Sequence, residues 1–224
     1  MAEAKHTTSL SAPPVAAERP MRSDARRNRE LILGAARELF ATQRSDVQVD
    51  DIARLAGVGV GTVYRHFPYK EALMGELVRE RFIDFNERLQ LAIDGDEHPF
   101  EALAASMRDN AASVAEDAAT RYAFMSGGER VFEYASSEAA RFLELSRTLV
   151  ERAQADGTLR ADFAAEHIPM LMCAVCATID VNKPGWDWRT MLDMLVAGMR
   201  AAPVTSPPAP RRSVKAIRPP DRRR

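Results

Sequence analysis

Cysteine is scarce: two in 224 residues cannot staple a disulfide framework, and both fit a reducing compartment. Long apolar runs are also missing. The nearest candidate, residues 168–179, has 12 residues and carries Pro169 and Thr178, short of the roughly 18 that a membrane helix needs. A membrane span is therefore excluded. Residues 1–21 hold no uninterrupted apolar segment behind a basic start, so they do not read as a secretory signal, and cytoplasm is the expected compartment. Proline is nearly absent from residues 22–200, where only positions 68, 99, 169 and 184 carry it. Strand-like alternation of β-branched residues is also rare there, so the body is predicted to be almost entirely helical. The four histidines lie scattered at 6, 66, 98 and 167. With no carboxylate pair near a nucleophile, no His-Cys-Asp grouping and no phosphate loop, an all-helical enzyme is disfavoured, and neither metal nor cofactor is called for. No repeat recurs at a fixed period.

What is present divides the chain. The net charge of −1 hides a zero balance over 1–21, +3 over 22–70, −10 over 71–200 and +6 over 201–224. A basic block joined to an acidic body points to one end meeting a polyanion while the rest repels it. Nine of the 13 prolines fall in 1–21 and 201–224, which predicts a disordered leader and a disordered basic tail. Met21 opens the sequence Met-Arg-Ser-Asp just where the leader ends, and intact mass of natively expressed protein tests whether it is a start site.

Apolar spacing places the helices. Over 27–41, Leu31, Ile32, Ala35, Ala36, Leu39 and Phe40 form one face. A short helix over 49–56 buries Ile52 and Leu55, with Asp50 and Asp51 in the turn that the helix dipole favours for negative charge. Gly57 stops it. A third short helix, 60–66, ends at Phe67-Pro68 because the residue before proline resists the α region. This is a helix-turn-helix over 22–70. A fourth helix over 70–93 places Leu73, Leu77, Phe82, Phe85 and Leu89 inward, and others are predicted at 99–120, 122–126, 129–134 and 137–155. The last two, 165–180 and 187–200, carry wide apolar stripes.

Residues 59–66, Gly-Val-Gly-Thr-Val-Tyr-Arg-His, suit a helix that enters a major groove. Gly59 and Gly61 keep its start slim, Thr62 offers a hydroxyl and a methyl, Tyr64 offers a phenol for a phosphate, and Val60 is a further candidate contact. Val63 and Phe67 face inward, while Arg65, His66 and Lys70 add backbone donors. The glycines are no nucleotide cradle, since no strand precedes them. Alone, the glycines read as turn chemistry and the arginines as a solvated face; together, inside the only basic folded block, they point to double-stranded DNA.

Asp50-Asp51-Ile52-Ala53-Arg54-Leu55-Ala56-Gly57-Val58, then Gly61-Thr62-Val63-Tyr64-Arg65-His66-Phe67-Pro68, then Lys70-Glu71-Ala72-Leu73 closely resembles the N-terminal domain of the tetracycline-repressor (TetR) family of bacterial transcriptional regulators. The resemblance spans about residues 27–85. It implies an all-α homodimer in which each subunit carries three N-terminal helices, the third in the major groove, and a divergent C-terminal domain that binds small molecules and dimerises. It places Gly61, Thr62, Tyr64, His66 and Lys70 at DNA-contact positions, with Tyr64 and Lys70 on phosphates, and Arg26 and Arg27 in an arm before the first helix. Three cap positions depart from the pattern: Gln48 and Gly59 stand where Thr or Ser is usual, and Tyr69 where a small polar residue is usual. A lost cap costs about 1 kcal/mol, so the fold tolerates these, and Gln48 stays a candidate backbone contact. Beyond residue 90 the likeness fades, apart from 149–162, which looks like the turn before the last helices.

For the C-terminal domain over 71–200, the stripes on the last two helices exceed what one body can cover. Leu171, Met172, Val175, Ile179, Met191, Leu192, Leu195 and Val196 are therefore candidates for a self-interface, by analogy a four-helix one, reading a pseudo-palindromic operator. Intramolecular core is the competing explanation. Flexible thioethers and rings suit an adaptable apolar pocket, for which Phe85, Leu89, Met107, Met125 and Phe132 are the candidates, with a mostly apolar small molecule as effector. Cys173 and Cys176 have C-x-x-C spacing, but a structural zinc site wants four ligands, so buried packing is favoured over thiol sensing. The functional expectation is a ligand-responsive regulator, a repressor released by its effector. The rival is a nonspecific DNA-coating protein, for which the tail residues Arg211, Arg212, Lys215, Arg218 and Arg222 to Arg224 are the best argument.

Overall fold

The protein, represented by a computed structural model, is described over residues 18–181 and 183–201, with side chains from residue 23 onward. Its described elements are α1 (Glu18–Gln43), a 3-10 turn (Arg44–Asp46), α2 (Val49–Ala56), α3 (Val60–His66), α4 (Lys70–Asp94), α5 (Pro99–Glu116), α6 (Ala118–Ser126), α7 (Gly128–Tyr134), α8 (Ser136–Ala155), α9 (His167–Ile179) and α10 (Trp188–Met199). No helix is long and apolar enough to cross a membrane among these residues. The all-α expectation holds. The expected tail and most of the expected leader lie outside the described residues, but Glu18–Met21 is already helical.

Two apolar cores organise the chain. The first joins α1, α2, α3 and the start of α4, from Ile32 and Phe40 to Val63, Phe67, Leu73 and Leu77. It also takes in Ala119 and Ala123 of α6 and Val131 and Ala135 of α7. The second joins the rest of α4 to α5, α8, α9 and α10, through Phe85, Leu89, Leu103, Met107, Leu149, Ile168, Val175 and Leu192. Phe82 and Phe124 pack against both. The α6–α7 pair therefore belongs to the N-terminal core by packing although it lies in the C-terminal half by sequence.

Several sequence expectations move. Leu31 and Leu55 are exposed. Neighbours cover only the side of α1 that carries Ile32, Leu33, Ala35, Ala36, Leu39 and Phe40, while two-turn α2 buries Ile52 and Ala53 instead. The helix expected over 99–120 breaks at Asp117, which caps α6 by accepting hydrogen bonds from Thr120 N at 3.0 Å and Thr120 Oγ1 at 2.7 Å. A short polar side chain in that place satisfies one of the orphan amides of a helix start. Gly57 closes α2 at φ 68°, a left-handed conformation that suits glycine. Gly75 on α4 serves a different need: a Cβ there would lie 2.5 Å from Tyr134 Cβ, so its bare backbone lets α7 approach α4.

Candidate DNA-reading face and effector cavity

The reading helix is held from behind. Val63 and Phe67 are buried in the N-terminal core, each such side chain contributing about 1.5–3 kcal/mol, and the Arg29 guanidinium sits 5.4 Å from the Phe67 ring centre. This fixes which side of α3 looks outward. Gly61, Tyr64 and Arg65 are exposed, Tyr64 at 49%, with Val60 also exposed and Thr62 and His66 half-exposed. Tyr64 and Arg65 make no side-chain hydrogen bond among the described residues. The caps at Gln48, Gly59 and Tyr69 make no side-chain hydrogen bond to the helices they precede, and exposed Gln48 donates instead to Asp46 O at 3.3 Å.

Lys70, half-buried, donates to Ser45 O at 2.8 Å, with its ammonium 5.6 Å from the Phe40 ring centre. That bond uses one of the three ammonium N–H groups and leaves the others for a phosphate. Arg26 and Arg27 are exposed, but they lie inside α1 and not in an arm ahead of it, because the helix begins nine residues before the expected start.

A cavity of about 90 Å³ opens in the C-terminal half, lined by Phe82, Phe85, Asn110, Val114, Phe124, Met125, Phe132, Phe142, Pro169, Met172, Cys173 and Cys176. Its rings touch in series: Phe82 lies 5.6 Å from Phe124 and 5.7 Å from Phe142, and Phe124 lies 6.1 Å from Phe132. Of the expected lining residues, Phe85, Met125 and Phe132 are there. Leu89 and Met107 are not; both are sealed in the second core, since their helix faces meet packed neighbours and not the gap. The sequence reading missed Phe82, Phe142 and Asn110, which come from three helices that only folding brings together. Cys173 and Cys176 also join this wall. Burial pushes the Cys173 thiol up, and burial, aided by Cys173 and opposed by Arg121, pushes Cys176 up to about 11. Raised pKa values leave neither thiol an activated thiolate; the expected buried packing holds for Cys176 but not for Cys173, which is exposed because its side of α9 meets no neighbouring helix among the described residues.

The proposed interface residues divide. Val175, Leu192 and Val196 are buried within the subunit, because α9 and α10 press these positions onto α5 and the second core, so they are unavailable to a partner copy. Met172 lines the cavity. Leu171, Ile179, Met191 and Leu195 are half-buried, and the most open large apolar positions on α9 and α10 are two not among the interface candidates, Met170 at 68% and Met194 at 65% exposed.

Charged contacts join the two halves. Asp117 receives Arg37 of α1 and, at 2.9 Å, Arg81 of α4, while Arg37 also reaches Glu80 at 2.9 Å. Beyond α1, Arg44 holds a left-handed backbone at φ 55° and donates to Asp180 Oδ2 at 3.1 Å. Arg121 of α6 donates to the other oxygen of Asp180 at 2.7 Å. Asp180 caps the C-terminus of α9, the helix that supplies Met172, Cys173 and Cys176 to the cavity, so α9 ends on a contact with Arg44, just past α1.

The family comparison settles the fold's kinship. A model for bacterial regulatory proteins of the tetR family matches residues 32–77, and one for the C-terminal domain of SbtR-like transcriptional regulators matches residues 98–201. The chain belongs to the TetR family. It is similar to a TetR transcription regulatory protein from Mycobacterium vanbaalenii, at 34% identity, covering 81% of this chain and all of that one, with a TM-score of 0.53. An HTH-type transcriptional regulator of Staphylococcus aureus (strain MRSA252) is 39% identical over 79 residues, which span 32% of this chain and 41% of that protein. FadR from Bacillus subtilis, solved with stearoyl-CoA, shares the fold at 20% identity and a TM-score of 0.63, covering 76% of this chain and 97% of that one. This TetR-family chain is thus a transcriptional regulator of a family that reads DNA through a helix-turn-helix.

Proposed function

We propose that the protein is a cytoplasmic, ligand-responsive repressor that binds a pseudo-palindromic operator as a homodimer and leaves it when a small apolar molecule occupies the cavity. The observation that carries this reading is the continuity from cavity to reading helix. Phe82 and Phe124 line the cavity and also pack on the core that holds α3, and Asp117 and Asp180 tie the cavity's helices to Arg37 and Arg44.

An effector acts only through a difference in affinity between two arrangements of the dimer. Here it binds better where the two copies of α3 are wrongly spaced for half-sites about one helical turn or more apart. Thr62, Tyr64, Arg65 and Lys70 supply the DNA contacts, with Gly61 allowing close approach. Exposed Met170 and Met194, with the outer edges of Leu171 and Leu195, supply the self-interface.

The test is a mobility shift with DNA from the protein's own promoter region, followed by footprinting. A discrete protected site is expected, with affinity falling steeply as salt rises. Thr62→Ala and Tyr64→Ala are each expected to weaken the shift about 5- to 100-fold with the dimer intact. A flat salt response contradicts phosphate-led binding, and uniform protection favours the DNA-coating alternative.

A further inference from the structure

The cavity wall contains one side chain that does not belong in an apolar lining. Asn110 on α5 is only 4% exposed, and its Oδ1 is buried without a hydrogen-bond donor. The remaining lining is five phenylalanines, valine, proline, two methionines and two thiols. An amide left unpaired in such surroundings is costly, and buried polar groups in folded proteins are nearly always satisfied. The missing partner is one the wall does not supply.

Charge narrows the ligand further. No Lys, Arg, His, Asp or Glu lines the cavity. Arg121, on the helix that carries Phe124 and Met125, spends its two terminal nitrogens on Val114 O, Ala115 O and Asp180 Oδ1 at 2.8, 2.9 and 2.7 Å, so its charge is already paired with Asp180 although its Nε has no acceptor. A cationic ligand group buried there would find no counter-charge, and an anionic one only a guanidinium already paired with Asp180, which disfavours both. A hydroxyl suits the amide best, because it donates to Oδ1 and accepts from Nδ2. Size sets the body: about 90 Å³ is less than the roughly 150 Å³ apolar hole that admits a benzene ring, and the flexible thioethers of Met125, itself exposed, and Met172 can yield the difference.

We infer that the cavity selects a neutral, single-ring apolar compound bearing a hydroxyl, with Asn110 as the residue that holds the hydroxyl. This rests on the effector-cavity reading above and adds its chemical class. Full-length protein is titrated calorimetrically with p-cresol, its methyl ether p-methylanisole, and p-toluate, and the same compounds are added to the operator complex. The p-cresol is expected to bind roughly tenfold or more tightly than the ether, with no detectable heat from p-toluate. In Asn110→Leu the two neutral compounds are expected to come within about twofold of each other. Asn110→Ala serves as a second variant, both being checked by circular dichroism, and the wild-type comparison stands even if neither folds.

Equal binding of p-cresol and its ether by the wild type overturns the assignment. So does a preference that survives in a folded Asn110 variant, tightest binding of p-toluate, or no binding of any probe. Binding of p-cresol without release of DNA defeats the release mechanism and leaves the site standing. Release by a charged compound while p-cresol is inert defeats the site and leaves the mechanism.

Discussion

Replacing Asp117 with alanine tests how the two halves are joined. Its side chain is 12% exposed and that of Arg81 13%, while Arg37 is 40% exposed. Removing the carboxylate takes away the α6 cap, worth about 1 kcal/mol, and leaves Arg81 buried without its main counter-charge. Breaking one side of a buried pair costs about 3–5 kcal/mol. The lower part of that range applies here, because Arg81 keeps Ser113 as an acceptor and Asp84 at 3.5 Å. The Arg37 arm, open to water, adds under about 1 kcal/mol. A total of about 4–5 kcal/mol corresponds to a fall in Tm of roughly 8–20 °C for a chain of this size, read by calorimetry or circular dichroism.

Acidity provides an independent check. Burial alone raises the Asp117 pKa, but the hydrogen bonds from Thr120 and the Arg37 and Arg81 guanidiniums outweigh it, and the net result lies below the usual carboxylate value. Its folded pKa is thus below the unfolded one of about 3.9. The stabilisation is present above that value and is lost as pH falls through the folded pKa. Asp117→Ala is therefore expected to flatten the loss of stability below about pH 4. A fall in Tm under about 2 °C, or a loss from Arg37→Ala as large as that from Asp117→Ala, refutes this account of the junction.

Gly75→Ala is expected to cost more than the roughly 1 kcal/mol that the helix propensity of alanine returns, since its Cβ would overlap Tyr134; a stabilised variant in a thermal melt would show that α7 sits further off. Met170→Glu with Met194→Glu is expected to yield monomers in analytical ultracentrifugation without lowering helical content, because both side chains are open in the subunit; an unchanged dimer places the interface elsewhere. Cys173 and Cys176, both with raised pKa values, are expected to alkylate more slowly at neutral pH than an ordinary free thiol, and mild peroxide is expected to leave both unmodified; rapid labelling of either would restore the thiol-sensing reading.

The sequence was most legible where structure is local. The spans of α2 and α3 follow from Gly57, from the Asp50-Asp51 turn and from Phe67-Pro68, all of which act within a few residues of the backbone they shape. The inward placement of Val63 and Phe67 followed from helical spacing. Periodicity located α9 and α10 within a residue or two, yet it could not say which apolar positions face the subunit's own core, and so Val175, Leu192 and Val196 were assigned outward while Met170 and Met194 were left out of the interface. A stripe wider than its cover looks the same on either side until a neighbouring helix is placed against it.

What the chain determines by itself is the reading head, whose motif is contiguous and whose geometry is set by turns and caps. Tertiary structure alone decided the cavity and the link to it. Phe82, Asn110, Phe124 and Phe142 sit on four helices with no common spacing, and Arg37 meets Asp117 across 80 positions of chain. Such pairings depend on how helices pack, and local patterns carry no record of that.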